Sequence, residues 1–412
     1  MWCRLGEIAQ HNTGKTLDKS RNTGNLQEYI TTSNLYWGYF DFTELRKMPI
    51  EDNELDRCTA IFGDLLICEG GDAGRSAVWK SEKPICFQNH IHRIRPFAKI
   101  YTSYLYYFMQ LIYLNGEIKQ YLKGVGIQSL SGNALASILL PIPPLQEQQH
   151  IVSKIEECFV LIDQIEENKR FLSQFIKQTK SKVLDLAIRG KLVPQDPNDE
   201  PASVLLERIK KEQKAKKPTA DILHYPIEVP KNWTWCRLGE IVFSIKNGST
   251  MKQSKGALGI PITRIETISD GSVNYGRMGY ANIFDSLDYA SYILKENDIL
   301  MSHINSPIHV GKTAIYKPKE KNEKIIHGMN LLRIRLQYVI NSDFANYFFN
   351  SQFFKDSISP YIKNAVNQAS INIGNLNIIQ IPIPPLPEQH RIVTKIEQIF
   401  AQLDEIENSI KA

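Results

Sequence analysis

From residue 145 onward the apolar residues fall into a period of seven. Ile155, Ile162, Ile176 and Val183 make one row, and Cys158, Ile165, Leu172 and Leu186 make a second row three residues further on. Lys169 and Thr179 interrupt the rows, and charged residues fill the positions between. Sustained a/d spacing of this kind predicts one long helix with a coiled-coil seam. The prolines of "PIPPL" just upstream cannot enter a helix interior, so they mark its start. A second helix is expected near the C-terminus, where Ile396, Leu403 and Ile410 form one row and Ile399 and Ile406 the other. The shared register favours pairing of the two helices over packing of each on its own domain.

Ahead of each helix the pattern changes to short β-branched and aromatic runs between turn signals. "AIFGDLLICEGG", "HIHRIRP" and "GIPITRIETISDGSVNYG" read as strands and turns. The alternation in "HIH" predicts that His90 and His92 share one face of a strand. "YTSYLYYFMQLIYL" (101–114) and its later partner "SDFANYFFNSQFF" (342–354) each read as a buried helix.

These elements occur twice. "WCRLGEI" stands at 2–8 and again at 235–241. "LPIPPLQEQQHIVSKIEECF" (140–159) returns as "IPIPPLPEQHRIVTKIEQIF" (381–400), and the second copy has gained a net eight residues in between. "HRIRP" (92–96) is echoed by "LRIRL" (332–336), and "QSLSGNALASI" (128–138) by "ASINIGNLNII" (369–379). A period this long means tandem whole domains, not a solenoid. The expected organisation is a domain over 1–145, a first long helix over 146–190, and a linker over 191–232. A second domain over 233–386 and a second helix over 387–412 complete it. The linker holds a short basic helix in "ASVLLERIKKEQKAKK". The second helix stops at a position matching residue 171 of the first. Nearly identical edges and diverged middles imply a common geometry serving two different tasks.

Composition narrows the class. Residues that are 42% hydrophobic and 23% charged suit a globular protein, and no apolar run reaches the length of a membrane span. The N-terminus lacks a signal-peptide profile, and six scattered cysteines without a CxxC pair suit a reduced, cytoplasmic protein. No His/Cys spacing suggests a metal site. The first domain is nearly neutral, with 15 basic against 14 acidic residues; the second has 16 against 11, which leaves phosphate contact open. Gly311-Lys312-Thr313 matches the end of a P-loop, but Ser306 stands where the motif needs its first glycine. The "IPPL" pairs lack the residues of an amino-methyltransferase pocket, and no catalytic triad or nuclease cluster stands out.

The duplicated "IPPLxEQ" strings, with "RGKLVPQDPNDEPASVLLERIKK" after the first helix, resemble the specificity (S) subunit of type I restriction-modification systems. The resemblance covers essentially the whole chain. It implies an α+β protein: two tandem mixed α/β target recognition domains, joined by two long antiparallel coiled-coil helices as a pseudo-two-fold internal repeat. It further implies a non-catalytic subunit in which each domain reads half of a bipartite double-stranded DNA sequence. Methyltransferase (M) subunits, two of them, would dock along the helices, and restriction (R) subunits would complete the enzyme. S-adenosylmethionine, ATP and Mg are then expected on those partners, with no cofactor in this chain. The residues offered to DNA are Lys15, Lys19, Arg21, Arg75, His90 and Gln128 in the first domain. In the second they are Lys246, Lys252, Lys255, His303, Asn305, Lys312 and Gln368. Glu147, Gln148, Glu388 and Gln389 at the helix starts are the candidate M-subunit surface, although acidic residues there also suit the helix dipole. The competing reading is an assembly scaffold without sequence-specific DNA readout.

Overall fold

The computed structural model describes all residues except Lys19, Arg21, Ala98, Val125, Ile127, Ala412 and the segments 213–226, 255–258, 269–270, 283–288 and 366–367. It divides into two compact units, Met1–Glu167 and Asn168–Ala412, and the long helix Leu145–Ile188 runs from one into the other.

In the first unit Trp2–Arg4 pairs antiparallel with Leu139–Pro141, so the domain is entered and left on neighbouring strands. Between these ends lie two four-stranded sheets. One orders Ala9–Thr13, Ile91–Pro96, Leu65–Cys68 and Ser76–Val78, all antiparallel. The other orders Arg46–Ile50, Asn25–Ile30, Ile85–Phe87 and Thr59–Ala60, with one parallel pair that sets Tyr29 opposite Cys86.

The second unit repeats this plan. Thr234–Arg237 pairs with Gln380–Ile383. One sheet orders Val242–Asn247, Leu331–Leu336, Ile299–Ser302 and Thr313–Ile315. The other orders Gln253–Ser254, Gly279–Ala281, Ile260–Thr263 and Ile326–His327, again with a parallel pair, Ile262 opposite Ile326.

The sequence echo of the "RIR" strands has a physical basis. Arg93 is fully buried and donates to the carbonyls of Asp56 and Thr59, both at 2.7 Å. Arg333 does the same toward Ser291 and Ile293 at 3.0 and 3.4 Å. Two residues on, Arg95 grips the buried Asp64 through two bonds of 2.8 Å, and Arg335 grips Asp298 through two of 2.7 Å. Each aspartate also accepts the amide three residues before it, Ile61 or Lys295. A buried carboxylate with this many donors ties a strand to the loop ahead of its neighbour.

Two expectations are corrected here. His90 and His92 do not share a face: His90 sits in the turn before the strand Ile91–Pro96 and is exposed, whereas His92 is buried. The stretch 342–354 is two helices, Ser342–Asn350 and Gln352–Ile358. Ser351 between them is extended, and its hydroxyl caps the second helix by accepting the Phe354 amide at 3.1 Å.

Helix pairing is visible within the second unit. Val183, Leu184 and Ala187 of the long helix share a core with Ile392, Val393 and Ile396 of the closing helix Leu386–Lys411. Lys180 pairs with Asp404 and lies 5.6 Å from the Phe400 ring centroid. Rising numbers on one helix meet falling numbers on the other, so the pair is antiparallel. Of the expected seam, Ile176, Val183 and Ile396 are buried, and Leu186, Ile399, Leu403 and Ile410 are half-buried. Ile406, Cys158, Ile162, Ile165 and Leu172 are exposed, and Ile155 is half-buried. The seam is therefore closed over only part of its length.

Candidate nucleic-acid interface

In both units a glycine turn joins the third and fourth strands of the antiparallel sheet. Gly74 and Gly311 take φ of +96° and +85°, and a Cβ on either would strike Ile118 or Ile358 at 2.1 or 2.5 Å. Glycine is required at both for the left-handed backbone and for the close approach. Each turn is followed by a cation, Arg75 or Lys312.

A further segment reaches each turn. Ser129 bridges to Gly70 in the first unit, which brings exposed Gln128 beside the turn. Glu69 joins them by accepting the Leu130 amide and donating its own to the His90 carbonyl, and its carboxylate lies 3.3 Å from His90 Nδ1. In the second unit Gln368–Ser370 forms a strand against Ile304–Asn305. The structure thus gathers Arg75, His90 and Gln128 at one edge, and Asn305, Lys312 and Gln368 at the corresponding edge.

The two edges differ in what their cations do. Arg75 Nη2 donates to the Thr32 carbonyl at 2.7 Å, Nη1 lies 3.4 Å from Asp72, and the guanidinium sits 5.4 Å from the Tyr36 ring centroid. It is held inward. Lys312 instead lines an open cleft of about 530 Å³ with Arg264, Glu266, Arg277, Asn305 and His309. In the repeat Ile262 corresponds to Tyr29, because each begins the parallel pairing with its neighbour, so Arg264 occupies the place of Thr31. The first unit has its arginine on the turn, and the second has it on the facing strand end. Arg264, Arg277 and His309 were missed in the sequence; the only signal was an arginine at 264 where the first copy has threonine.

The remaining candidates scatter. Lys15 pairs with Glu54 and is largely covered. Lys246 and Lys252 are exposed; Lys252 precedes Gln253, which accepts Arg264 Nε at 2.6 Å. His303 is buried, and burial pushes its pKa below the usual histidine range, so its ring faces the interior. Lys19, Arg21 and Lys255 lie outside the described residues, as do Lys214, Lys216 and Lys217 of the linker. Thr313 is buried and bonded to Asn346 at 2.8 Å, so the P-loop-like string offers no free hydroxyl.

The helix-start candidates correct the expectation of a partner surface. Gln148 is fully buried: its Oε1 accepts the Tyr101 amide at 2.8 Å, and its Nε2 donates to the carbonyls of Pro143 and Lys99. Gln389 repeats this with the Asn341 amide and the Pro384 carbonyl. Glu388 is buried too, accepting Trp233 Nε1 at 3.0 Å and Gln195 Nε2 at 2.6 Å; burial raises its pKa, against those two bonds. These three side chains lock a helix start onto its own domain, and only Glu147 is exposed. Nearby, Arg391 binds the Asp199 carboxylate at 2.6 Å, so the linker string "GKLVPQDPNDEPA" is part of the same lock.

A repeated frame with two diverged edges is also the signature of a protein family. The model for the type I restriction modification DNA specificity domain matches residues 2–183 and again 230–412. The chain belongs to this family. It is 44% identical over 166 residues to the type I restriction enzyme MjaX specificity subunit of Methanocaldococcus jannaschii, covering 40% of this chain and 39% of that one. Over 384 residues it is 28% identical to the EcoAI specificity subunit of Escherichia coli, covering 78% of this chain and 63% of the relative. The chain therefore spans less than two thirds of the length of these two relatives. In fold it is similar to the HsdS subunit from Thermoanaerobacter tengcongensis, with a TM-score of 0.59 at 18% identity over 99% of this chain and 91% of that one. A chain from work on assembly and conformational transition of the type I R-M system gives 0.60 at 20% identity, covering 100% and 92%. Among the described residues no cluster of His, Cys, Asp or Glu could hold a metal ion, and no helix is long and apolar enough to cross a membrane.

Proposed function

We propose that this chain is a non-catalytic DNA-recognition subunit of a type I restriction-modification enzyme, with each repeat reading one half of a bipartite target. The observation that carries this reading is the pairing of one frame with two unlike edges. The buried arginines, the Arg–Asp grips and the glutamine locks recur, while the turn edges present different side chains. Identical frames keep two readers in like orientation, and unlike edges let them choose different bases.

In the second domain Lys312, Arg264, Asn305 and Gln368 face the duplex, with Lys246 and Lys252 as flanking phosphate contacts. In the first domain His90 and Gln128 do so beside the turn that Arg75 braces. Two M subunits dock on the paired helices, whose exposed residues, Glu147 among them, remain open to a partner. R subunits complete the assembly. S-adenosylmethionine, ATP and Mg belong to those partners, and the complex works in the cytoplasm.

The test is a methylated-base map of a genome in cells that co-express this chain with its M partner, against cells lacking the chain. A new split motif, two short defined halves around a fixed gap, is the expected result. Replacing 233–386 by another recognition domain should then change one half alone. An unchanged map despite a soluble complex would leave only the scaffold reading.

A further inference from the structure

The second unit carries an arginine that is set in place before any ligand arrives. Arg264 follows the strand Ile260–Thr263 and lines the open cleft with Asn305 and Lys312. Its backbone is clipped: the Arg264 amide donates to Thr267 Oγ1 at 2.8 Å, and its carbonyl accepts the Thr267 amide at 3.0 Å. Its side chain is clipped too, because Nε donates at 2.6 Å to Gln253 Oε1, which lies two strands away in the same sheet. Nη1 and Nη2 have no acceptor among the described residues.

The strand between supplies the room. Gly279 stands opposite Ile262 in the antiparallel register, and a Cβ on it would fall 2.5 Å from both Nε and Nη2 of Arg264. Gly279 is not among the glycines with positive φ, so the close approach is what calls for glycine. In the first unit Tyr29 faces Arg46 across the corresponding antiparallel pair. Arg46 therefore stands at the place of Gly279, and Thr31 at that of Arg264. The arginine and the glycine that seats it occur together in one copy and are both absent from their places in the other.

A guanidinium with Nε engaged presents its Nη pair end-on, as two donors that match O6 and N7 of guanine in the major groove. For a phosphate a point charge on a flexible stem is enough, and Lys312 supplies one in the same cleft. Adenine would call for a free carboxamide. That of Asn305 is spent within its own loop: Nδ2 donates to Ser302 Oγ at 3.0 Å, and Oδ1 accepts the Ser306 amide at 2.8 Å.

We propose that Arg264 selects a guanine in the half-site read by the second domain, with Gln253 and Gly279 as its positioning residues. The first domain makes no such contact at the corresponding place. The inference rests on the DNA-recognition reading above.

The test uses this chain in complex with its M partner. Methylated-base maps are compared for the wild-type chain, Arg264→Gln and Gly279→Ala. The half-site assigned to residues 233–386 should contain a guanine. Arg264→Gln should relax the preference at that one position and leave the other half unchanged. Gly279→Ala should do the same without lowering the denaturation midpoint, since the added methyl meets only the flexible end of the arginine. Purified complexes are then titrated with duplexes in which each guanine of that half-site is replaced in turn by 7-deazaguanine, which lacks the N7 acceptor. One replacement should weaken the wild type about tenfold and leave Arg264→Gln unaffected. Gln253→Ala should lose part of that discrimination, and Gln253→Glu, which keeps an acceptor for Nε, should restore it. Where Arg264→Gln abolishes modification outright, the duplex series alone decides.

A half-site without guanine, a map unchanged by Arg264→Gln, or a 7-deazaguanine effect that survives the substitution overturns the proposal and leaves the recognition reading intact. So does a loss for Arg264→Gln that is equal on every duplex, with a salt slope lower by about 1, because Arg264 would then be a phosphate contact. A wild-type map with no split motif overturns both.

Discussion

The two glycine turns place a cation at the same point of the same frame and use it in opposite ways. Arg75 folds back onto the Thr32 carbonyl, Asp72 and Tyr36, and so stabilises its loop. Lys312 opens onto a cleft, and Arg264, at the place of Thr31, lines it too. A conserved position in a duplicated fold is thus no guide to a shared role. What decides the role is whether a neighbour supplies an acceptor that turns the charge inward.

The comparison can be broken most strongly at the frame that both copies share. Asp298→Ala or Asp64→Ala strips a bidentate partner from Arg335 or Arg95 and should cost roughly 3 kcal/mol in either unit, read as a loss of denaturation midpoint. The arginines are about a quarter exposed, which keeps the figure below that of a wholly buried pair.

The helix starts come next. Trp233→Phe removes one donor from buried Glu388 and should cost about 1–3 kcal/mol. Glu147→Ala, at the matching place in the first unit, should change stability by no more than about 0.5 kcal/mol. Equal effects would mean that the two helix starts are held alike.

The turns themselves should then separate by type of measurement. Arg75→Ala is expected to lower stability by about 1–2 kcal/mol. Lys312→Ala should leave the midpoint unchanged, weaken binding to duplex DNA, and reduce the salt slope of that binding by about 1, as for one phosphate contact. An anisotropy titration over a salt series tells the two apart.

The smallest effect is acid sensitivity. His11 Nε2 lies 2.9 Å from His92 Nδ1, and burial together with the mutual repulsion of the rings lowers the pKa of His11 to about 4. Burial also depresses His92, and in the second unit His303 and His327. The unfolded chain has its histidines near 6.5 and so takes up protons first as pH falls. Stability is therefore complete above about pH 6.5 and declines below it toward pH 4. His92→Leu, which installs the residue found at the matching position Leu332, should flatten that decline in melts run between pH 7.5 and 4.5.

Much of this was legible in the sequence where periodicity or repetition carried it. The long helix, the closing helix, the mixed sheets and the doubled frame all follow from spacing that folding cannot hide, whereas the antiparallel sense of the helix pair came with the family resemblance. The seam residues read from heptad spacing are covered only in part, because heptad spacing reports an apolar stripe and not what lies against it. Gln148, Gln389 and Glu388 were read as surface because polar side chains at a helix start usually are. Their role depends on the amides of Tyr101 and Asn341 and on the indole of Trp233, which lie about fifty or more residues away in sequence. The cleft at Arg264 was invisible for the same reason: it is built from three segments that only the fold brings together.

The pairing of Trp2–Arg4 with Leu139–Pro141, and of Thr234–Arg237 with Gln380–Ile383, makes each domain a cassette. Its two ends stand one strand spacing apart, about 5 Å, whatever lies between them. A net gain of eight residues in the second middle is absorbed without moving either end. Any foreign middle whose ends meet at that spacing can be exchanged between near-identical borders, so the molecule can change its vocabulary while keeping its grammar.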